Sequence, residues 1–393
     1  MRLSGLASII CAVLVLISCP SRKNHSQPAP DKGNAASSAQ TLDISAEYVW
    51  NPSVHARFTK EEVLVPSGAI NWRIPTAIST NENCIYVCDS GERNLYVFDI
   101  DNGDRKNIIN ISKNPSNSVF DFTLHDNKIY ITGQFRILTY TEGKVTQRSN
   151  SKRWGTISVY DDSICGIQYD APKGVVLNVC DINFANINTY FLRQVYRFEY
   201  IAPLSHVFDV VKVDNAIVVN QRFENKLYYY ELIGGQLVYR KTEKWVDDPA
   251  LDSREANNKE NWEQELIKMR SVQRNPNLAS LASPRPKGKF LSIASRVLAL
   301  DGALWGLIPT YTSSGVLVKI QDDERELIGF DVSEGTYPCD FALRKTDAGL
   351  ELIVLFGIIG EKGKSRFIKK FSGLVDVDDA SEKENKNDVH NVD

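Results

Sequence analysis

Histidine and methionine are scarce in this chain, with five His and two Met among 393 residues. Only His55, His125 and His206 fall between the terminal segments, and no two of them stand at a metal-ligand spacing. There is no Gly-rich phosphate loop, no Gly-x-Ser-x-Gly elbow and no Cys-x-x-Cys pair. Nucleotide, serine-hydrolase and thiol-redox chemistry therefore have no motif behind them. Charge of one sign is lacking too: 46 basic residues meet 49 acidic ones, for a net charge of -3. Residues 374–393 carry seven of the acids against two Lys, so the remaining body is slightly positive. Neither nucleic acid nor an acidic membrane surface is indicated by that balance.

Long apolar runs are absent but for a short one at the start. Arg2 is followed by Leu3 to Ile17, fifteen residues, then Ser18, Cys19 and the polar Pro20-Ser21-Arg22-Lys23-Asn24. A membrane-spanning helix needs about 20 apolar residues, so length and polarity read as a secretory signal. Leu16-Ile17-Ser18-Cys19 resembles the lipobox of bacterial lipoproteins. The resemblance implies cleavage before Cys19, a diacylglycerol on its thiol and an acylated new amino terminus. Two or more chains hold a protein stably on a membrane. Pro20, where enteric bacteria use Asp for inner-membrane retention, favours an outer-membrane address, or a periplasm-facing one. Residues 19–46 are poor in large apolar side chains and read as a disordered tether, as residues 374–393 read as an acidic disordered tail.

Residues 47–373 are rich in Tyr, Phe, Val and Ile, and they repeat. Six strand openings recur: Ile74-Pro75-Thr76-Ala77-Ile78, Val119-Phe120-Asp121-Phe122-Thr123, Gly155-Thr156-Ile157-Ser158-Val159, Val207-Phe208-Asp209-Val210-Val211, Ala294-Ser295-Arg296-Val297-Leu298 and Pro338-Cys339-Asp340-Phe341-Ala342. Most are followed by a polar turn and a second, apolar strand such as Lys128-Ile129-Tyr130-Ile131-Thr132. Repetition of short strands at about 35 to 50 residues predicts an all-β, six-bladed β-propeller, with five or seven blades as alternatives. Glu62-Val63-Leu64-Val65 is placed to complete the last blade and remove a free edge. Ile85-Tyr86-Val87-Cys88-Asp89-Ser90-Gly91-Glu92-Arg93-Asn94-Leu95-Tyr96-Val97-Phe98-Asp99 resembles the NHL-type repeat of six-bladed propellers, closely in this blade alone. No Trp-Asp repeat endings and no regular tryptophan docking motif of the quinoprotein type are visible.

The long gap between blades 4 and 5, residues 241–289, predicts a helical insertion. Asp252 with Glu255 suits an N-cap and capping box, and Trp262, Leu266, Met269 and Gln273 recur at helical spacing from about Arg254 to Gln273. One reading makes the insertion a lid or partner surface, with Trp262 as a binding residue; the plainer one packs Trp262 and Leu266 on the nearest blade.

Candidate chemistry rests on few residues. Asp121, Asp209 and Asp340 hold matching places in blades 2, 4 and 6, so three carboxylates would converge at the channel. They would suit a Ca²⁺, the only cofactor suggested, because hard cations prefer oxygen; alternatively each Asp accepts hydrogen bonds that tie one blade to the next. His206 stands just before the blade 4 opening, as a candidate binding residue at the channel. Asp99-Ile100-Asp101-Asn102-Gly103-Asp104 looks like a calcium loop, but its Gly falls one place early and a hairpin turn is the expectation. Cys165 and Cys180 flank the turn Ala171-Pro172-Lys173-Gly174, which would set them opposite one another as a cross-strand disulfide. Together these features predict a monomeric, lipid-anchored envelope module that presents a propeller face to a protein or glycan, not an enzyme. The alternative is a metal-dependent hydrolase or lactonase of the six-bladed type.

Overall fold

The computed structural model describes residues 46–111, 119–133, 136–149, 154–170, 174–196, 207–274, 291–358 and 365–377. Cys19 and His206 lie outside the described residues. The chain divides into two compact units, one of residues 40–261 and 289–393 and one of residues 1–39 and 262–288. All the strands belong to the first; the described part of the second is the end of one helix.

Four sheets have four antiparallel strands each, in sequence order, and begin at Pro75–Thr80, Val119–His125, Thr156–Tyr160 and Phe208–Val213. A further sheet has eight strands. It consists of a half begun by Val297–Leu300 and a half begun by Thr336–Thr346. Ala56–Val65 completes the second half by pairing antiparallel with Arg366–Asp376, from Ala56 opposite Asp376 to Val65 opposite Ile368. The strand pairing between the two halves is short, Ala56 and Arg57 running parallel to Ile328 and Gly329 beside the His55–Leu327 hydrogen bonds. The strand expected to close the last blade is thus in place. It begins earlier than Glu62 and holds its partner strand to Asp376, three residues past Gly373, where the body had been expected to end.

The leading strands of successive sheets lie side by side in chain order, and the series returns on itself where Thr336–Thr346 meets Pro75–Thr80. Each sheet is therefore covered on both faces, which explains why the second strands are apolar without alternation. Every residue of Ala303–Pro309 is buried, whereas the fourth strand Arg105–Asn110 is exposed at all but one position. Turns take the left-handed conformation that two-residue hairpins require: Asp126 and Asn127 have φ of 46° and 58°, Gly234 and Gly235 of 56° and 78°. The Asp99–Asp104 segment is a hairpin turn as expected, with Asp99 accepting the N–H groups of Asp101 and Asn102.

Tryptophans wedge three of the junctions between sheets. Trp72 packs with Tyr96 and Ile78 on one side and Leu355 and Ile368 on the other. Trp154 does the same between Tyr130 and Ile164, and Trp245 between Val218 and Leu304. Glycine makes room for two of these rings, since a Cβ at Gly166 would stand 2.2 Å from Trp154 and one at Gly306 2.4 Å from Trp245. No docking motif was expected from the sequence. These tryptophans sit at differing offsets from their strands, which hides the repetition.

The insertion is the helix Pro249–Arg274. Its cap is Asp248, whose carboxylate accepts the Ala250 N–H at 2.8 Å, with Pro249 as the first helical residue. The expected capping pair does other work. Glu255 accepts the Asn225 N–H and both Lys226 and Lys259 ammonium groups, and Asp252 pairs with Lys244. Fully buried Arg254 donates to the carbonyls of Tyr48, Pro309 and Thr310 at 2.6, 2.6 and 3.1 Å and lies over the Tyr311 ring. Burial pulls its pKa down to about 10, so it keeps its charge at neutral pH. Buried Asn258 donates to the carbonyls of Phe223 and Leu291 and accepts the Leu291 N–H. Three consecutive turns of helix are thereby fastened to the loops of the first unit, as a strut would be.

Candidate functional site

The third residues of four openings are charged, Asp121, Asp209, Arg296 and Asp340, and the structure brings them together. All four are buried, none more than 9% exposed. The three carboxylates converge as the sequence predicts, but the cation among them is a guanidinium. Arg296 Nη1 donates to Asp340 Oδ2 at 3.0 Å and to the Ile78 carbonyl at 2.8 Å, and Nη2 lies 3.6 Å from Asp121 Oδ1. Among the described residues no three His, Cys, Asp or Glu side chains assemble into a metal-holding group. Arg296 thus stands among the carboxylates where a Ca²⁺ was expected and supplies positive charge there.

The plainer expectation for these aspartates describes two of them. Asp121 accepts the Thr156 hydroxyl at 2.8 Å and the Ile157 N–H at 3.5 Å, tying the second sheet to the third. Asp340 accepts the Ile78 N–H at 2.9 Å, tying the last half-sheet to the first sheet. Asp209 has no such tie. Among the described residues its one hydrogen bond is from Asn220 Nδ2 at 3.5 Å, and Asn220 is itself oriented by the Trp245 indole N–H at 3.0 Å.

Titration behaviour follows from these contacts. Burial pushes the Asp209 carboxyl up to about 8; Asp121 and Asp340 add to the rise, while Arg296 and Arg222 oppose it. Asp340 is also pushed up by burial but held back by Arg296 and the Ile78 N–H. Burial alone would weaken the Arg296 cation, yet Asp340, Asp121 and Asp209 overcome this and hold it above the ordinary arginine range. One guanidinium thus bridges Asp340 and Asp121, while burial favours the protonated form of Asp209.

Thr76, Asp209, Arg222, Ser295, Arg296, Cys339 and Asp340 line a cavity of about 10 Å³. That is room for one water. None of the hydroxyl or thiol groups there is activated. Ser295 Oγ donates to the Leu307 carbonyl, Thr76 Oγ1 to the Cys88 carbonyl, and burial pushes the Cys339 thiol up. A nucleophile needs an adjacent base or a lowered pKa, and neither is present.

Other candidates are placed elsewhere. Trp262 is fully buried, so its ring offers no face to a partner. Cys165 and Cys180 are free thiols. The register pairs Asp170 with Gly174, so Cys165 faces Val179 and Cys180 faces Ile164. The two cysteines point to opposite faces of the sheet, and the expected disulfide is corrected by that one-residue shift in register. Cys180 joins the Trp154 cluster, while Cys165 lies 3.1 Å from the Tyr160 hydroxyl. Sequence reasoning missed Arg296 and Arg222. Arg296 occupies the same third position as the aspartates, so its signal was available; Arg222, in a turn, gave none.

No protein-family model matches the chain, and no curated protein matches it in sequence. Solved structures do resemble it. The WD40 repeats of RRP9 superpose with a TM-score of 0.50 at 9% identity, over 81% of this chain and all (100%) of that one. A luciferin-regenerating enzyme gives 0.48 at 8% identity over 79% of this chain and 96% of its own. A structure described as a putative exported protein from Bacteroides fragilis gives 0.45 at 14% identity, over 85% of this chain and 98% of that one. The likeness to the WD40 repeats shows a β-propeller fold and nothing of function.

Proposed function

We propose that this chain is a six-bladed propeller, held by lipid on Cys19 in a bacterial cell envelope, which works by binding a partner rather than by catalysis. The count of six takes the eight-stranded sheet as two blades, since the strand pairing between its halves is short, two parallel pairs at Ala56 and Arg57. The observation that carries the binding reading is the channel itself. Arg296 pairs with Asp340 and Asp121, the Ser295 and Thr76 hydroxyls donate to backbone carbonyls, and the cavity of about 10 Å³ is too small to enclose a substrate. Recognition would fall to the loops at the blade ends, where a rigid scaffold presents variable surface. An envelope protein or glycan is the partner class that the anchor brings within reach. A tether of residues 20–46 spans about 25 to 30 Å as a coil.

The anchor is tested by Cys19→Ser. The variant should leave the membrane pellet and appear in the soluble fraction, while wild type stays with membranes until detergent is added. A variant that still pellets removes the lipoprotein part of the proposal. The binding part is tested separately, by capture from solubilised envelopes.

A further inference from the structure

The cavity at the channel mouth contains a charge that the Arg296 network does not use. Arg222, in the turn after Ala216–Gln221, has its backbone fixed on both sides: its N–H donates to the Val207 carbonyl, and its carbonyl accepts the Ile293 N–H, each at 2.8 Å. Its Nε donates to Ser292 Oγ at 3.0 Å. Among the described residues its two terminal amino groups have no hydrogen-bond partner, and no carboxylate lies within ion-pair distance of it. The guanidinium is therefore positioned, with its outer edge unpartnered among the described residues. Beside it in the cavity stands Asp209, about 95% buried and also without an ion pair.

We propose that this mouth binds the carboxylate group of a small organic acid, with the free edge of Arg222 as its partner and one carboxylate oxygen entering the cavity. The fork of a guanidinium matches a carboxylate with two parallel hydrogen bonds, and a held fork loses little entropy on binding. About 10 Å³ takes one oxygen atom of such a group. Arg296 is balanced by Asp340 and Asp121, so Arg222 is the lining charge left to attract an anion. Asp209, uncharged at neutral pH, leaves the incoming group unrepelled and has a proton to donate. Asp340 is already engaged by Arg296 and the Ile78 N–H, so it does not compete for Arg222.

This inference rests on the binding reading and names the chemistry of one part of the ligand. The probe is acetate, titrated calorimetrically into the detergent-solubilised full chain at pH 6.5, with acetamide and chloride as controls. Saturable acetate binding is expected, with no binding of acetamide and none of chloride at the same concentrations. Arg222→Gln should weaken acetate by about tenfold or more, while Arg222→Lys, which keeps the charge but not the fork, should weaken it less. Melting curves of the same samples confirm that both variants are folded. The proposal is overturned if acetate shows no saturable binding, if acetamide or chloride binds as well, or if folded Arg222→Gln binds acetate as wild type does. Failure of the broader binding reading shows differently, as the absence of any envelope partner on capture.

Discussion

Arg296→Met lowers the stability of the protein by about 3–5 kcal/mol at pH 7, the usual cost of removing one partner from a buried ionic group. The residue is replaced by one of similar length that still packs, so the loss is electrostatic. Asp340 and Asp121 then face each other's field with no cation between them, and the Ile78 carbonyl loses its donor. The sign with pH follows. Deprived of Arg296, both carboxyls hold their protons to a higher pH than they would in the unfolded chain, whose aspartates titrate near 3.9. The carboxylate part of the penalty is absent below that value and grows as pH rises, so the melting temperatures of variant and wild type should draw together in acid, apart from the lost Ile78 hydrogen bond. Replacing Asp121 and Asp340 by Asn in the Met variant should recover part of the loss at pH 7. Thermal melts from pH 4 to pH 8 decide this; a deficit that is independent of pH would mean that packing alone was lost.

Asp209→Asn acts in the opposite direction. With a native pKa of about 8, Asp209 binds a proton in the folded state that the unfolded chain has already released above about pH 4. Stability from this group is fully present below about pH 4 and is lost as pH rises toward 8, at up to 1.36 kcal/mol per unit. Asparagine keeps the shape without the proton. The variant should match wild type near pH 4 and exceed it by roughly 3 kcal/mol at pH 8 and above, the full linkage being reduced by local relaxation. Chemical denaturation at the two pH values measures the difference. A variant less stable than wild type at pH 8 would show that Asp209 is ionised and paired there.

Much of the ring was legible because its signals are local. Six openings, the apolar second strands and the turns with Asn, Asp and Gly are each written within about ten residues, and the structure has a strand at every opening. The N-terminal strand was legible too, by the physical need to cover an edge. What was not legible depended on distance or on a single residue of register. Asp248 caps the helix rather than Asp252, a shift of one turn that the helical spacing of Trp262 and Leu266 cannot detect. Cys165 and Cys180 look opposed if Ala171 to Gly174 form the turn and diverge once Asp170 pairs with Gly174. Arg296 was readable, since the third positions of the openings run Thr76, Asp121, Ile157, Asp209, Arg296 and Asp340. Matching like with like selected the aspartates and passed over the opposite charge that satisfies them. Arg222 reaches the same cavity from a turn, and only the folded chain brings it there.

Calcium dependence is the direct test of a channel closed by its own arginine. Purified protein, stripped with chelator and analysed for metal, is melted with and without millimolar calcium, alongside a variant in which Asp121, Asp209 and Asp340 are all Asn. Because Arg296 already occupies the charge between these groups, the wild-type melting temperature should be the same with calcium as with chelator. A calcium-dependent rise in the wild type that disappears in the triple variant would contradict it and place a metal where the guanidinium now stands.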